Sequence, residues 1–317
     1  MSTGGLSRLS NVSNKRCVDT CCALQVHFGS TNRLEASHLS MARLSSPGMT
    51  RRALSLATPF MIAEVVDHVG RITFNNPERR NAIKLEMNEA LVDICAAFDA
   101  DPDVRVVVMQ GAGDAAFISG ADISEFAEHR STPEGLARFD AISAQAGSAL
   151  ANLSKPLVAK IRGFCMGGGL ATALTADLRI TAEDGQFAIP AAKLGIGYNF
   201  SGVQRLVGLV GPSNASEILM TGSRFGADRA LQMGLVNRIT GVNELDAEVN
   251  QLVEVMAANA PLSIKASKVA IAEAMHDRSD RDVGRAEKLI DQCFASADYT
   301  EGRTAFMEKR APRFRGV

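Results

Sequence analysis

The spacing of apolar residues predicts the first elements of this chain. Residues 62–74 alternate apolar and polar side chains around Asp67-His68-Val69-Gly70, a pattern typical of a β-hairpin. Apolar side chains then recur at helical intervals through residues 85–100, and a β-branched run over residues 104–109 predicts a buried strand. The apolar positions of the helix are Met87, Leu91, Ile94, Cys95 and Phe98. Two strands, a helix and a further strand therefore open the patterned part of the chain.

The middle of the chain repeats a unit of strands and helix. Ser131-Thr132-Pro133-Glu134 predicts a capping box that opens a helix reaching about Leu153. Short strands are predicted over residues 156–161, 178–181 and 186–189. From Gly211 to about Arg310 the pattern is mostly helical. These elements predict an α/β core followed by a helical C-terminal part.

Composition places the chain among ordinary globular proteins. Its 317 residues are 46% hydrophobic and 22% charged with a net charge of −1, so nothing suggests a nucleic-acid-binding surface. No apolar run approaches the roughly 18 residues that a membrane span requires. We therefore predict no transmembrane helix, no membrane partner and no nucleic-acid partner.

Residues 1–60 differ from the rest of the chain. They are rich in Ser, Asn and Arg, show no sustained periodicity and lack the apolar segment of a secretory signal. We expect a disordered, targeting or non-native extension, with the domain proper beginning near Met61. The protein is then predicted to be cytoplasmic, or mitochondrial if the extension is a transit peptide. Cys17, Cys21 and Cys22 lie here without convincing partner ligands, so no metal site is predicted.

Glycine clusters mark the candidate chemistry. The run Gly163-Phe164-Cys165-Met166-Gly167-Gly168-Gly169 is strand-like, breaks into three glycines and continues as an apolar helix. Adjacent glycines allow a sharp turn that leaves backbone N–H groups uncovered at a helix start, where a developing oxyanion is stabilised. A second turn of small residues, within Phe117-Ile118-Ser119-Gly120-Ala121-Asp122-Ile123, can supply another N–H donor. Two such donors would form an oxyanion hole.

Several motifs occur in the order and spacing of one known family, and they extend from about Met61 to Val317. They are Asn76-Pro77 with Asn81-Ala82-Ile83, residues 117–123, residues 163–169, Gln204-Arg205-Leu206, residues 230–236 and Phe306-Met307-Glu308-Lys309-Arg310. Together they resemble the crotonase superfamily, also called the enoyl-CoA hydratase/isomerase family. The resemblance implies a ClpP/crotonase-like spiral of repeated ββα units in residues 61–250. It also implies a helical trimerisation region in residues 251–317, and homotrimers or dimers of trimers.

The same resemblance implies an acyl-CoA substrate and assigns residues to it. The oxyanion donors would be the backbone N–H groups of Ala121 and Gly168. The groove for CoA would be lined by Ala82, Ala121, Asp122, Ile123 and Ser124. Phe306 and Lys309 fall where the family contacts the nucleotide end, often across a subunit boundary, although Lys309 also suits a solvated helix face. No metal or redox cofactor is implied, because CoA arrives as part of the substrate.

The chain departs from the hydratases of this family at two positions. Those enzymes use two glutamates as general base and acid. Aligned on the glycines, these positions are Ala171 and Ala191. Isomerases keep an acidic group near the second position, so hydration and isomerisation by the usual residues are both disfavoured.

The loop Leu194-Gly195-Ile196-Gly197-Tyr198-Asn199-Phe200 is similar to that of methylmalonyl-CoA decarboxylase, a member of the same superfamily. We therefore predict decarboxylation of a short 2-carboxyacyl-CoA, since loss of CO₂ produces the thioester enolate without a base. Tyr198 would orient the carboxylate or donate the proton, and Asn199 would hydrogen-bond either group. Alternatively, Tyr198 only packs the loop. Position 121 is alanine where the decarboxylase has histidine, but the predicted donor there is a backbone group.

Two other functions stay open. A hydratase or isomerase could use Asp122 or Glu125, although Asp122 is better explained as a helix cap and Glu125 as a solvated side chain. A non-catalytic acyl-CoA binder is the second alternative. An RNA-binding relative would need a basic helix face, whereas residues 85–100 carry only acidic charges.

Overall fold

The computed structural model describes residues 51–125 and 131–317; Cys17, Cys21 and Cys22 lie outside them. The strands of this part are β1 Arg51–Ala53, β2 Met61–Val66, β3 Val69–Phe74, β4 Val106–Gly111, β5 Ala116–Ile118, β6 Leu157–Ile161, β7 Phe164–Met166, β8 Leu178–Ala182, β9 Gln186–Ala188, β10 Phe225–Gly226 and β11 Arg238–Thr240. The α-helices are α1 Leu85–Ala100, α2 Pro133–Ala151, α3 Gly168–Ala173, α4 Phe200–Thr221, α5 Ala227–Gln232, α6 Leu245–Ala258, α7 Pro261–Met275, α8 Val283–Ala295 and α9 Ala297–Glu308. Short 3₁₀ turns span Pro77–Arg79, Ile123–Glu125 and Pro190–Leu194.

The strands form two sheets, and successive strands along the middle of the chain alternate between them. The larger has the strand order β1-β2-β3-β4-β6-β8-β11, and the smaller has the order β10-β9-β7-β5. Strands β4, β6 and β8 are parallel neighbours in the first sheet, while β5, β7 and β9 are parallel neighbours in the second. Each repeat of the spiral thus adds one strand to each sheet, and a helix follows. The predicted α/β spiral of ββα units is confirmed.

The hairpin and the first helix form as their apolar patterns predict. Strands β2 and β3 pair antiparallel from Met61↔Phe74 to Val66↔Val69. Asp67 and His68 take positive φ values of 47° and 70°, as a tight hairpin turn requires. All five apolar positions of α1 named above are buried. The helix lies so close to β3 that a Cβ at Gly70 would come within 2.9 Å of the Phe98 ring.

The sheet begins before the predicted boundary at Met61. Arg51 pairs with Val66, and Ala53 with Glu64, so β1 extends the edge of the large sheet. The Leu54 N–H also donates to the Ala63 carbonyl at 2.8 Å. The apolar pattern does not predict this strand, because all three β1 residues are exposed.

Helix α6 covers the outer face of the large sheet. Val249 and Val253 of α6 pack with Val106 of β4 and Val158 of β6 in one buried cluster. The predicted division between residues 250 and 251 therefore falls inside a helix that belongs to the core. The helical C-terminal part follows as α7 to α9, and α9 ends at Glu308 rather than at Arg310, with Lys309 in the left-handed conformation.

The start of α2 differs by one residue from the predicted capping box. Thr132, rather than Ser131, is the N-cap, and its side chain accepts a hydrogen bond from the Gly135 N–H at 3.1 Å. Pro133 takes the first helical position as predicted. Within residues 51–125 and 131–317, no helix is long and apolar enough to cross a membrane. In the same residues, no group of three or more His, Cys, Asp or Glu side chains is arranged to hold a metal ion.

Candidate active site

Each glycine of the triple-glycine turn has a different structural role. Gly167 has φ 50° and ψ −114°, a conformation that side chains disfavour, and its N–H donates to the Ala188 carbonyl at 2.8 Å. Gly169 permits close packing, because a Cβ there would lie 2.2 Å from the Ile118 carbonyl oxygen. Gly168 begins α3, and its N–H has no acceptor among the described residues. A helix N-terminus leaves such donors unpaired and favours negative charge nearby.

The turn at Ala121 presents a second free N–H. The Ile83 N–H donates to the Gly120 carbonyl at 2.8 Å, and the Asp122 N–H donates to the Ile83 carbonyl at 2.9 Å. These bonds flank Ala121 on both sides in an isolated parallel bridge. The N–H of Ala121 itself finds no acceptor in the part of the chain that is described.

The two free amides lie together. A Cβ built on Gly168 would be 3.6 Å from the Ala121 nitrogen and 3.8 Å from Cδ1 of Ile83. The two segments come from separate turns of the spiral, and the β5–β7 pairing holds them side by side. An oxyanion hole requires two fixed donors that face one small space, and we expect these two neighbouring amides to meet that requirement. Their action as donors stays a prediction.

The carboxylates beside Ala121 are engaged in local hydrogen bonds. Oδ1 of Asp122 accepts from the Ser124 N–H at 3.0 Å and from the Ser124 hydroxyl at 2.7 Å, as the predicted cap requires. Burial acts to raise the pKa of Asp122, but the Ser124 bonds and nearby positive charges outweigh it and hold the pKa below its usual value. Glu125 is half-buried rather than solvated, and its carboxylate accepts from the Leu85 N–H at 2.9 Å, which caps α1.

Tyr198 and Asn199 precede α4. Oδ1 of Asn199 accepts from the Gly202 N–H at 2.8 Å and from the Ser201 hydroxyl at 3.0 Å, so the side chain is the N-cap and only its NH₂ group remains for a ligand. The Tyr198 ring lies over Gly202, where a Cβ would come within 2.7 Å of the ring.

The Tyr198 hydroxyl is buried and has no hydrogen-bond partner among the described residues. Burial raises its pKa to about 12, although the Arg205 charge acts to lower the pKa. The hydroxyl therefore stays protonated at neutral pH and can act as a hydrogen-bond donor.

Comparison with known proteins gives this geometry its context. The family profile described as enoyl-CoA hydratase/isomerase matches residues 64–317. The chain belongs to the enoyl-CoA hydratase/isomerase family. It is therefore an enzyme of the crotonase superfamily that acts on acyl-CoA thioesters. The predicted identification of this superfamily is confirmed.

Relatives in the enoyl-CoA hydratase/isomerase family align with this chain over almost their whole length. A crotonyl-CoA hydratase of Syntrophomonas wolfei is 34% identical over 254 residues, 80% of this chain and 97% of the relative. A carnitinyl-CoA dehydratase of Escherichia coli K12 is 34% identical over 258 residues, 77% of this chain and 94% of the relative. A crystal structure of an enoyl-CoA hydratase/carnithine racemase from Magnetospirillum magneticum shares the fold with a TM-score of 0.77 and 31% identity, covering 82% and 97% of the two chains.

The positions expected to carry the glutamates of a family hydratase lie beside the glycine turn. Ala171 is half-buried in α3, one turn after Gly168, and Ala191 is half-buried in the 3₁₀ turn that follows β9. The proline that opens this 3₁₀ turn lies 4.0 Å from the Cβ position of Gly167. A methyl group neither accepts nor donates a proton, so these two positions cannot perform acid–base chemistry.

The structure brings together part of the CoA groove expected for the family. Ala82 is buried, and its neighbour Ile83 pairs with Ala121, so the two predicted walls are adjacent. Ile123 is 68% exposed and Ser124 is also exposed beside them. In contrast, Phe306 and Lys309 lie at the end of α9, where Phe306 is 82% exposed. No hydrogen bond or ion pair joins them to the other site residues within the described chain, and their role stays a prediction.

Proposed function

We propose that this enzyme decarboxylates a short 2-carboxyacyl-CoA and holds the resulting thioester enolate between the N–H groups of Ala121 and Gly168. One observation carries the proposal: two free amides lie close together, with a Cβ on Gly168 only 3.6 Å from the Ala121 nitrogen, while Ala171 and Ala191 stand where a family hydratase would need carboxylates. The site keeps two amides that could stabilise an enolate, but it lacks the carboxylates with which a family hydratase activates water and transfers protons.

Decarboxylation requires stabilisation of an enolate but no general base, as this site would provide. The bond between C2 and the carboxylate carbon breaks, and its electron pair moves toward the thioester, so that negative charge develops on the thioester oxygen as CO₂ leaves. No base is needed, and a proton must reach C2 afterwards. Fixed N–H dipoles stabilise the developing oxyanion without reorganising, and one such donor is worth roughly 3 kcal/mol, or about 10²-fold in rate. No metal or redox cofactor is required for these steps.

Tyr198 and Asn199 are proposed to serve the carboxylate and the proton. The unpartnered hydroxyl of Tyr198 stays protonated because its pKa is raised to about 12. We expect substrate binding to open access to this buried hydroxyl, which would then donate a hydrogen bond to the carboxylate, or a proton to C2 that is replaced from solvent. For Asn199 the contact is restricted to the NH₂ group, since its oxygen caps α4.

Hydration is the second candidate, because relatives at 34% identity are named crotonyl-CoA hydratase and short-chain-enoyl-CoA hydratase. An acid–base pair would then have to come from outside positions 171 and 191. Asp122 and Glu125 would each have to give up hydrogen bonds that cap helices. That cost makes hydration the weaker candidate.

The test is a product screen of the full-length protein with malonyl-CoA, methylmalonyl-CoA, ethylmalonyl-CoA and crotonyl-CoA, read by mass spectrometry. We expect loss of CO₂ from at least one 2-carboxyacyl-CoA, slowed by about 10²-fold or more in Gly168→Ala and weakened in Tyr198→Phe. Efficient hydration of crotonyl-CoA without CO₂ release would overturn the proposal in favour of hydration. Tight acyl-CoA binding with no turnover would overturn it in favour of a binder.

We further expect a homotrimer or a dimer of trimers, assembled through the C-terminal helices. Large apolar side chains of α8 and α9 are exposed in the single chain, including Phe294 at 63% and Met307 at 77%. Exposed large apolar side chains on neighbouring helices favour an interface. Sedimentation analysis of the full-length protein would test this, and a monomer across micromolar concentrations would contradict it.

A further inference from the structure

Asn81 is fully buried and hydrogen-bonded on both sides of its carboxamide. Its Oδ1 accepts from the Asn76 N–H at 3.0 Å. Its Nδ2 donates to the carbonyl of Ala112 at 3.0 Å and to that of Ala116 at 2.8 Å. The residue has no exposed surface, so it touches no substrate. It joins the loop before α1 to the segment that runs from β4 through β5.

The same two segments also pair through backbone bonds that lead directly to Ala121. The Ser119 N–H donates to the Arg80 carbonyl at 3.0 Å, one residue before Asn81. The Ile83 N–H donates to the Gly120 carbonyl at 2.8 Å, two residues after it. Asn81 therefore lies between two backbone hydrogen bonds, and the second of them, from Ile83 to Gly120, is adjacent to the turn at Ala121.

The backbone around Asn81 is shaped to accept this side chain. Arg80 and Asn81 take φ values of 52° and 56°, the left-handed region that asparagine tolerates better than most residues. Gly111 leaves room for the amide, since a Cβ there would come within 2.5 Å of Nδ2 of Asn81. A buried polar group with every partner in place holds its neighbours in one arrangement, because any other arrangement leaves groups unpaired.

We infer that Asn81 is the positioning residue for the first oxyanion donor: its carboxamide holds the Ala121 N–H opposite that of Gly168. Gly168 follows β7 and begins α3, and the Asn81 side chain makes no hydrogen bond to either element. Loss of the Asn81 bonds would let the Ala121 turn shift while the second donor stays in place. The inference rests on the oxyanion-hole part of the proposed function and not on which bond the enzyme breaks.

The test uses Asn81→Gly, because glycine accepts the left-handed backbone and removes the carboxamide together with its β-carbon. Asn75→Gly is the matched control. Asn75 tethers the same loop, with Nδ2 donating to the Pro59 carbonyl at 2.9 Å, but away from the Ala121 turn. Asn81→Asp is the second variant if the glycine variant does not fold, since it keeps the acceptor for Asn76 and turns an oxygen toward the two carbonyls.

The first readout is the absorbance of bound 4-dimethylaminocinnamoyl-CoA, a conjugated thioester without a 2-carboxylate. Hydrogen bonds to its carbonyl shift the absorbance to longer wavelength, so the shift reports both donors independently of turnover. We expect Asn81→Gly to bind the probe with less than half of the wild-type shift, and Asn75→Gly to retain the full shift. An unchanged shift in folded Asn81→Gly would overturn the inference.

The second readout is the split between kcat and KM. A misplaced donor should lower kcat by roughly tenfold or more, and KM should rise by a smaller factor than kcat falls, because the Ala121 turn supplies only part of the expected CoA groove. In Gly168→Ala the hole is already blocked, so adding Asn81→Gly should lower kcat little further. Additive losses in the double variant would contradict a role through the donor. A wild-type shift without decarboxylation would refute only the proposed reaction, whereas no wild-type shift would refute the oxyanion hole itself.

Discussion

Substitution of Gly168 by alanine should lower turnover sharply without harming the fold. The added methyl would lie 3.6 Å from the Ala121 nitrogen, 3.8 Å from Cδ1 of Ile83 and 3.9 Å from the Gly120 carbonyl carbon. These are ordinary van der Waals distances, so the protein can accommodate the methyl. Gly168 begins α3 without a positive φ, so alanine is also acceptable to the backbone.

The size of the effect follows from the space between the donors. An oxyanion must come within about 2.7–3.1 Å of each donor nitrogen. The methyl occupies the space that faces the Ala121 nitrogen, so a substrate oxygen cannot reach both donors. Loss of one donor costs about 3–4 kcal/mol, so kcat should fall by roughly 10²–10³-fold. The free energy of unfolding should change by less than about 1 kcal/mol, and alanine favours the helix.

Two other glycines supply matched controls. Gly284 lies in the first turn of α8, and a Cβ there would be 3.7 Å from Oδ1 of Asp282, so Gly284→Ala should keep wild-type kcat. Gly169→Ala would force a Cβ to 2.2 Å from the Ile118 carbonyl oxygen and should fail to fold. Adjacent glycines are thus expected to fail in different ways.

The assay is single-turnover product formation on the preferred acyl-CoA, with thermal unfolding followed in parallel. A folded Gly168→Ala protein that keeps more than about half of wild-type turnover would refute the placement of the oxyanion between these amides. Loss of turnover together with loss of the folded state would show that the glycine is required for packing instead.

Three further changes test neighbouring parts of the structure. Tyr198→Phe removes a buried hydroxyl without a partner, so thermal unfolding should show equal or higher stability by up to about 1 kcal/mol while the CO₂-forming rate falls; a loss of stability would mean the hydroxyl has a partner. Glu125→Ala removes the acceptor for the Leu85 N–H and should cost about 1 kcal/mol in denaturant unfolding, with no change in any acid limb of the pH–rate profile. Hydrogen bonds from Arg310 lower the pKa of Glu301 to about 2, so its stabilising contribution is present above the unfolded value near 4.3 and is lost as pH falls toward 2. The difference in melting temperature between wild type and Glu301→Gln should therefore shrink over that range, and a constant difference would contradict it.

Local patterns predicted the parts of the fold in which side-chain burial follows sequence spacing. The β2–β3 hairpin, α1, the two-strand-and-helix repeats and the C-terminal helices all carry such spacing. β1 escaped prediction because its three residues are exposed at a sheet edge. Helical spacing alone does not show which sheet a helix covers, so the packing of α6 on the large sheet was not visible in the sequence.

The candidate site was predicted in its residue types but not in its geometry. The glycine run, the second small-residue turn and the alanines at 171 and 191 are visible in the sequence and already define the chemistry that is available. The engagement of Glu125 with α1 and of Asn199 with α4 was not visible, because each bond depends on where a side chain meets a helix start.

The sequence by itself therefore determined the fold class, the family and the absence of carboxylates at two positions, since these depend on local spacing and side-chain identity. Only the tertiary structure shows that the amides of Ala121 and Gly168 lie close together and that the Asn81 carboxamide bonds to the carbonyls of Ala112 and Ala116. The physical reason is that both donors are backbone groups. Every residue except proline carries a backbone N–H group. Only long-range hydrogen bonds and strand pairing therefore decide which two N–H groups remain free and lie close together.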